Sequence, residues 1–143
     1  MSEANKQIAL KFLTAMSAGD ADGQAECMTM DCFTVTKGSA QVSGQRDRAM
    51  MLATVEAFND IVPTGFRPVF KQVIAEGDTV VVEWEGNAVL SNGVPYCNQY
   101  AFFFMFEGGL IRQMNEYFCT VLADTTIVPL LLQKGEEYAH GNS

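Results

Sequence analysis

The sequence predicts an α+β domain, in which a curved antiparallel or mixed sheet wraps as a cone around N-terminal helices and encloses a pocket. Three observations carry this. Apolar residues recur at helical spacing up to about residue 62, strand-like apolar runs follow from residue 66, and short glycine-containing turns separate those runs. The 143 residues are 48% apolar, enough for one core, and no linker, repeat or low-complexity stretch divides them. Residues 1–143 therefore read as one domain.

The elements follow in order. Ile8, Leu10, Phe12, Leu13 and Met16 make the apolar stripe of a first helix, which Gly19-Asp20 ends. A short second helix begins at Asp20 or Asp22 and runs to Cys27. Residues 32–37 mix apolar side chains with threonine and predict a short strand. Ser43 is the expected cap of a third helix, in which Met51, Val55, Phe58 and Val62 share one face and Pro63 closes the run. Residues 66–75, 79–90, 94–106 and 110–121 then predict four strands. The turns between them are Glu76-Gly77-Asp78, Ser91-Asn92-Gly93 and Glu107-Gly108-Gly109. Leu130-Leu131-Leu132 after Pro129 reads as a short docking helix or an apolar tail covering a partner, with a frayed end over about residues 135–143.

Composition narrows the function. Nine Lys+Arg against seventeen Asp+Glu give a net charge of −8, which opposes binding to nucleic acid or an anionic membrane. No apolar run approaches the about 20 residues that cross a bilayer. The first residues lack a basic segment followed by an apolar one, so a cytoplasmic protein is expected. Cys27, Cys32, Cys97 and Cys119 have no Cys-x-x-Cys spacing and read as reduced thiols, with no metal site expected. The single histidine, His140, lies near the C-terminus, so histidine-based catalysis is set aside in favour of carboxylates, tyrosines, amides or thiols.

A cone of this kind is a small-molecule site by shape, and its expected occupant is a hydrophobic small molecule. In the third of the four strands Tyr96, Asn98, Tyr100, Phe102, Phe104 and Phe106 share one face, while Cys97, Gln99, Ala101, Phe103 and Met105 share the other. Toward the strand's end both faces are apolar. Only one can meet the helices, so a homodimer through the outer sheet face is expected.

Four segments carry a resemblance. Residues 9–20 read ALKFLTAMSAGD, residues 73–83 VIAEGDTVVVE, residues 93–104 GVPYCNQYAFFF and residues 109–120 GLIRQMNEYFCT. Their order resembles, over nearly the whole chain, the SnoaL-like group of the nuclear transport factor 2-like superfamily, with its pattern Gly…Tyr-x-Asn-x-Tyr…Gly-Lys-Ile…Glu-Tyr-x-Asp-Thr. The resemblance implies helices and a curved sheet around a deep pocket, usually in a dimer. It spans isomerases, cyclases, epoxide hydrolases and non-catalytic binding domains, so the residues must choose among them.

The ketosteroid isomerase branch has an oxyanion-donating Tyr where this chain has Phe12. Its base Asp matches Thr36, and its second acidic donor has no Asp counterpart in residues 98–104. A conventional ketosteroid isomerase is not expected. The limonene epoxide hydrolase branch uses Asp-Arg-Asp; here Glu83 stands at the Arg, with Glu85 and Glu116 at the two Asp positions. Without the cation that mechanism is not expected either. The cyclase branch implies a carboxylate that removes an acidic proton while hydrogen bonds steady the enolate. Glu116 matches the base and Asn98 and Tyr100 match the donors, although Cys119 replaces the Asp three residues after this Glu.

The candidates are therefore Glu116, Tyr100 and Asn98 as catalytic residues. Phe12, Glu83, Trp84, Phe102 and Met114 are the substrate-binding candidates, with no cofactor. Alternatives stand beside them: strand alternation turns Val80, Val82 and Trp84 inward and Glu83 and Glu85 to water, Asn98 can satisfy backbone groups at a strand end, and Glu116 can pair with Arg112. The expected function is acid/base catalysis on a hydrophobic ligand. Its rival is a non-catalytic ligand-binding or dimeric interaction module.

Overall fold

The computed structural model describes residues 2–141, with side chains described through residue 135. Helices α1 (Ser2–Ser17) and α2 (Ala21–Ala25) come first, then strands β1 (Met28–Thr36) and β2 (Gly44–Asp47), and helix α3 (Arg48–Ile61). Strands β3 (Val69–Glu76), β4 (Thr79–Val89), β5 (Pro95–Glu107) and β6 (Leu110–Phe118) follow, and helices α4 (Thr120–Thr125) and α5 (Ile127–Gly141) complete the fold. The six strands make one mixed sheet in the order β2-β1-β6-β5-β4-β3. Only β1 and β6 run parallel; every other pair is antiparallel.

Local chemistry explains the boundaries. Asp20 caps α2 by accepting a hydrogen bond from the Gly23 amide at 2.9 Å. Gly108 and Gly109 both have positive φ, 60° and 83°, which lets a two-residue loop turn β5 directly into β6. Register shifts between Met28 and Phe33, Phe70 and Gln72, and Met105 and Phe106 bend the strands over the helices.

The inner face forms the main core. Ala9, Phe12 and Leu13 of α1 are fully buried against Val80, Val82, Phe102, Phe104, Ile111 and Met114. A second cluster joins Ile61, Val62 and Phe66 to Ala88, Leu90, Tyr96 and the apolar residues of α4 and α5. Among the described residues no helix is long and apolar enough to cross a membrane.

Several local expectations are corrected. Ser43 does not cap α3; its hydroxyl accepts from the Ala40 amide and donates to the Lys37 carbonyl, closing the β1–β2 connection. Residues Gly44–Asp47 pair with β1 as an edge strand, and Asp47 caps α3 through the Met50 amide at 2.9 Å. β1 starts at Met28 rather than at residue 32, and β6 stops at Phe118, where α4 takes over. Leu130-Leu131-Leu132 belongs to the longer helix α5, with Pro129 in its first turn, where no amide hydrogen bond is lost. Leu130 and Leu131 pack against the second cluster. The expected frayed end and the side chain of His140 lie outside the described residues.

Candidate functional site

Strand register assembles the site. On the inner face Thr34 of β1 lies opposite Met114 of β6, and Thr36 lies opposite Glu116. Across the next ladder Met114 faces Phe104, Glu116 faces Phe102, and Phe118 faces Tyr100, which in turn is opposite Trp84 of β4. Since side chains two residues apart share a face, one pair of ladders brings a carboxylate, two hydroxyls and an aromatic wall together.

This wall borders a cavity of about 940 Å³ between the sheet, α3 and α5. Trp84, Tyr100, Phe102, Met114 and Phe118 line its sheet side, and Met51, Val55, Phe58, Ile127, Val128 and Leu131 line its helical side. Trp84 and Tyr100 stack with ring centroids 4.1 Å apart, and Phe102 meets each of them edge-on. Gly86 leaves room beside that stack. A Cβ there would come within 3.3 Å of Tyr100 Cε2 and 3.5 Å of Trp84 Cζ3.

Glu116 lines the cavity. The hydroxyls of Thr34 and Thr36 donate to its Oε2 at 3.0 and 2.8 Å. Arg46, on edge strand β2, donates through Nη1 to Thr36 Oγ1 at 3.1 Å and through Nη2 to the Val42 carbonyl at 2.7 Å. Among the described residues nothing hydrogen-bonds Oε1, so that oxygen is left for the cavity. Burial pushes the Glu116 carboxyl above its ordinary value, against the opposing pull of the two threonine hydroxyls and the Arg46 charge. Arg112 does not pair with Glu116; its guanidinium lies 3.6 Å from Glu107.

Tyr96 and Tyr100 both line the cavity. The Tyr96 oxygen accepts from Asn98 Nδ2 at 3.0 Å, which leaves the Tyr96 proton free to donate. Burial raises both phenols above their usual range, so each keeps its proton at neutral pH.

The other candidates separate. Trp84, Phe102 and Met114 border the cavity. Phe12 does not: it is fully buried in the core, edge-on to Phe104 at 5.6 Å. Glu83 does not either, because alternation along β4 turns it to the outer face with Glu85. Asn98 is committed to the backbone. Its Oδ1 accepts from the Gln99 and Cys119 amides and its Nδ2 donates to the Cys119 carbonyl, joining β5 to the start of α4. Sequence reasoning missed Thr34, Arg46 and Tyr96 as site residues and weighed Thr36 only as a substituted base. Tyr96 was readable from the alternation that selected Tyr100; the other three depend on the pairing of β1 with β2 and β6.

A model of the SnoaL-like domain family matches residues 9–114. No curated protein matches the chain in sequence. Among solved structures it is similar to a putative SnoaL-like polyketide cyclase from Jannaschia sp. CCS1, with 16% identity, 86% of this chain and 92% of that one covered, and a TM-score of 0.71. A putative isomerase from Bacillus subtilis shares 16% identity over 87% and 93% of the two chains, with a TM-score of 0.72. PrhC from Penicillium brasilianum NBRC 6234 shares 16% identity over 93% and 91%, with a TM-score of 0.75.

Proposed function

From the premise that the chain belongs to the SnoaL-like domain family, we propose that it catalyses proton transfer on a hydrophobic small molecule, with Glu116 as the base. One observation supports this above all. A carboxylate set in an apolar cavity has one oxygen held by two hydroxyls and the other facing the space where a ligand would lie. Its raised pKa brings it toward the range in which a general base works at neutral pH.

In this reading Glu116 Oε1 takes a proton from a carbon beside a carbonyl. The C–H electron pair moves into the enolate, whose oxygen accepts a hydrogen bond from the Tyr96 hydroxyl. Returning the proton to another carbon gives an isomerase; attack of the enolate carbon on a second carbonyl gives a cyclase. The names of the cyclase and isomerase neighbours fit both outcomes without choosing between them. The same reading places a second copy of the chain against the outer sheet face, where Ile74, Phe103 and Tyr117 are exposed.

The test uses β-tetralone, a bicyclic ketone with acidic protons beside its carbonyl. Solvent deuterium incorporation at those positions is followed by proton NMR. The wild-type protein is expected to accelerate exchange over buffer, and Glu116→Gln to lose about 100-fold or more of that acceleration. Equal exchange by wild type and variant removes Glu116 as the base. A ketone that binds but exchanges no faster than in buffer favours the non-catalytic binding module, a reading supported by the commitment of Asn98 to the backbone.

A further inference from the structure

Strand register puts one cation on the inner face. Arg46 of β2 lies opposite Thr34 of β1, and cross-strand partners share a face, so its side chain turns to the side of Thr34, Thr36 and Glu116. β2 is the edge of the sheet, and there Arg46 lines the cavity, half-buried. Its bonds to Thr36 Oγ1 and the Val42 carbonyl fix the guanidinium and leave its other N–H donors uncommitted. Among the described residues no carboxylate lies within ion-pair distance of it, whereas Lys6, Lys11, Lys71, Arg112 and Lys134 each have one. Glu116 stands one hydroxyl away and takes its own hydrogen bonds from the threonines. The other charged groups in the cavity wall are toward the far end of α3. Glu56 and Asp60 lie roughly two and three turns beyond Arg48, and Lys134 pairs with Asp60 at 2.8 Å. The two bonds that Arg46 makes within the fold need only neutral donors; a permanent charge is required for neither.

We propose that Arg46 is an anion seat at the mouth of the cavity and that the ligand places a carboxylate on it. The proposal rests on the reading of this cavity as the ligand site. A guanidinium matches both oxygens of a carboxylate, and such a charge-assisted pair is stronger than a neutral hydrogen bond. The wall of Trp84, Tyr100 and Phe102 suits a flat apolar body beside it. Arg46 and Glu116 share the Thr36 hydroxyl, so the carboxylate and the carbon that loses its proton lie a few bonds apart, as in a keto acid. The ligand class is thus an apolar ring system bearing a carboxylate close to its acidic carbon. A chain of net charge −8 opposes any anion at long range, so a preference for an acid over its neutral isostere reports a local cation.

The probes are 2-naphthylacetate and its neutral isostere 2-naphthylacetamide. Trp84 is the sole tryptophan and lines the cavity, so the indole N–H resonance of an isotope-labelled sample follows the filling of that cavity. The wild-type protein is expected to bind the acid about 10-fold more tightly than the amide at low salt, with the advantage shrinking as sodium chloride rises. Arg46→Gln is expected to lose that advantage and to leave amide affinity within about two-fold of wild type. Arg46→Lys keeps the charge without the fork and is expected to retain about three-fold. Arg46→Met, which keeps an apolar stem, repeats the measurement if Arg46→Gln folds poorly. Lys134→Gln is expected to keep the full advantage. Glu116→Gln, which removes a like charge, is expected to keep or raise it.

Four results overturn the seat: equal affinity for acid and amide in the wild type, an advantage that survives in Arg46→Gln or Arg46→Met, an advantage lost in Lys134→Gln, or no movement of the indole resonance by either probe. An acid preference without acceleration of β-tetralone exchange leaves the seat standing and removes the catalytic reading. Exchange that depends on Glu116, with no acid preference, has the opposite meaning.

Discussion

At the residue scale the balance of forces on Glu116 has a measurable consequence that needs no substrate. Desolvation favours its neutral form, and the hydroxyls of Thr34 and Thr36 favour its charged form; desolvation prevails. A carboxyl whose pKa is raised by folding binds its proton more tightly in the folded chain than in the unfolded one. Folded stability therefore falls as pH rises from the ordinary carboxylate value through the raised one, and stays lower above it. Glu116→Gln cannot ionise and escapes this cost. It is expected to show a higher Tm than wild type at neutral pH, with the gap closing as the pH falls to about 4, where both states of the wild type are protonated. Thr36→Val removes a hydrogen bond to the charged form and is expected to cost about 1.5–3 kcal/mol at neutral pH and less in acid. Thermal unfolding of the three proteins across pH checks both signs. Glu116 was legible because its inward position follows from strand alternation. Its partners were not, because Thr36 and Glu116 meet only through the parallel pairing of strands far apart in sequence.

At the element scale the errors have a common origin. Strand β2 reads Gly-Gln-Arg-Asp, with no apolar alternation to mark it; it is a strand because β1 offers it an edge. Arg46 therefore stayed unread as a site residue. Asn98 misled in the other direction. It stands between two inward tyrosines, as a ligand-binding amide would, yet β5 has only just begun there and the chain leaving β6 needs its backbone groups satisfied. Asn98 supplies an acceptor to two amides and a donor to one carbonyl, so it works as a clamp between β5 and α4. Asn98→Ala is expected to lower stability by about 2–4 kcal/mol, as unsatisfied buried backbone groups dictate. Urea unfolding measures that loss. Asn98 also donates to Tyr96, so deuterium exchange into β-tetralone, corrected for the folded fraction, is expected to fall only about a few-fold as Tyr96 loses one positioning hydrogen bond. A fall comparable to that of Glu116→Gln would return Asn98 to the catalytic group.

At the scale of the whole molecule the same alternation that fills the inner face determines what the outer face shows. Phe102 and Phe104 turn inward, so Phe103 must turn outward. There it meets Tyr117 with ring centroids 5.7 Å apart, and Ile74 shares its cross-strand row. These three side chains are 37%, 47% and 55% exposed, an apolar patch at the middle of an open sheet. Glu83 and Glu85 lie on that same face, and the chain carries a net charge of −8, so two copies brought together there repel at long range while their apolar rows attract at contact. Association through this face is therefore expected to tighten with salt, which screens the repulsion and leaves the apolar contact in place. Sedimentation of the wild-type protein is expected to give twice the 15.7 kDa mass of one chain, with the dimer fraction rising with sodium chloride. Phe103→Lys places a cation in the patch and is expected to sediment as a single chain at every salt concentration, with Tyr117→Lys behaving likewise. A wild-type dimer that persists in both variants moves the interface to another surface. A wild-type protein that sediments as one chain at high salt removes the interface altogether, leaving the exposed Phe103–Tyr117 pair as a surface feature of the monomer.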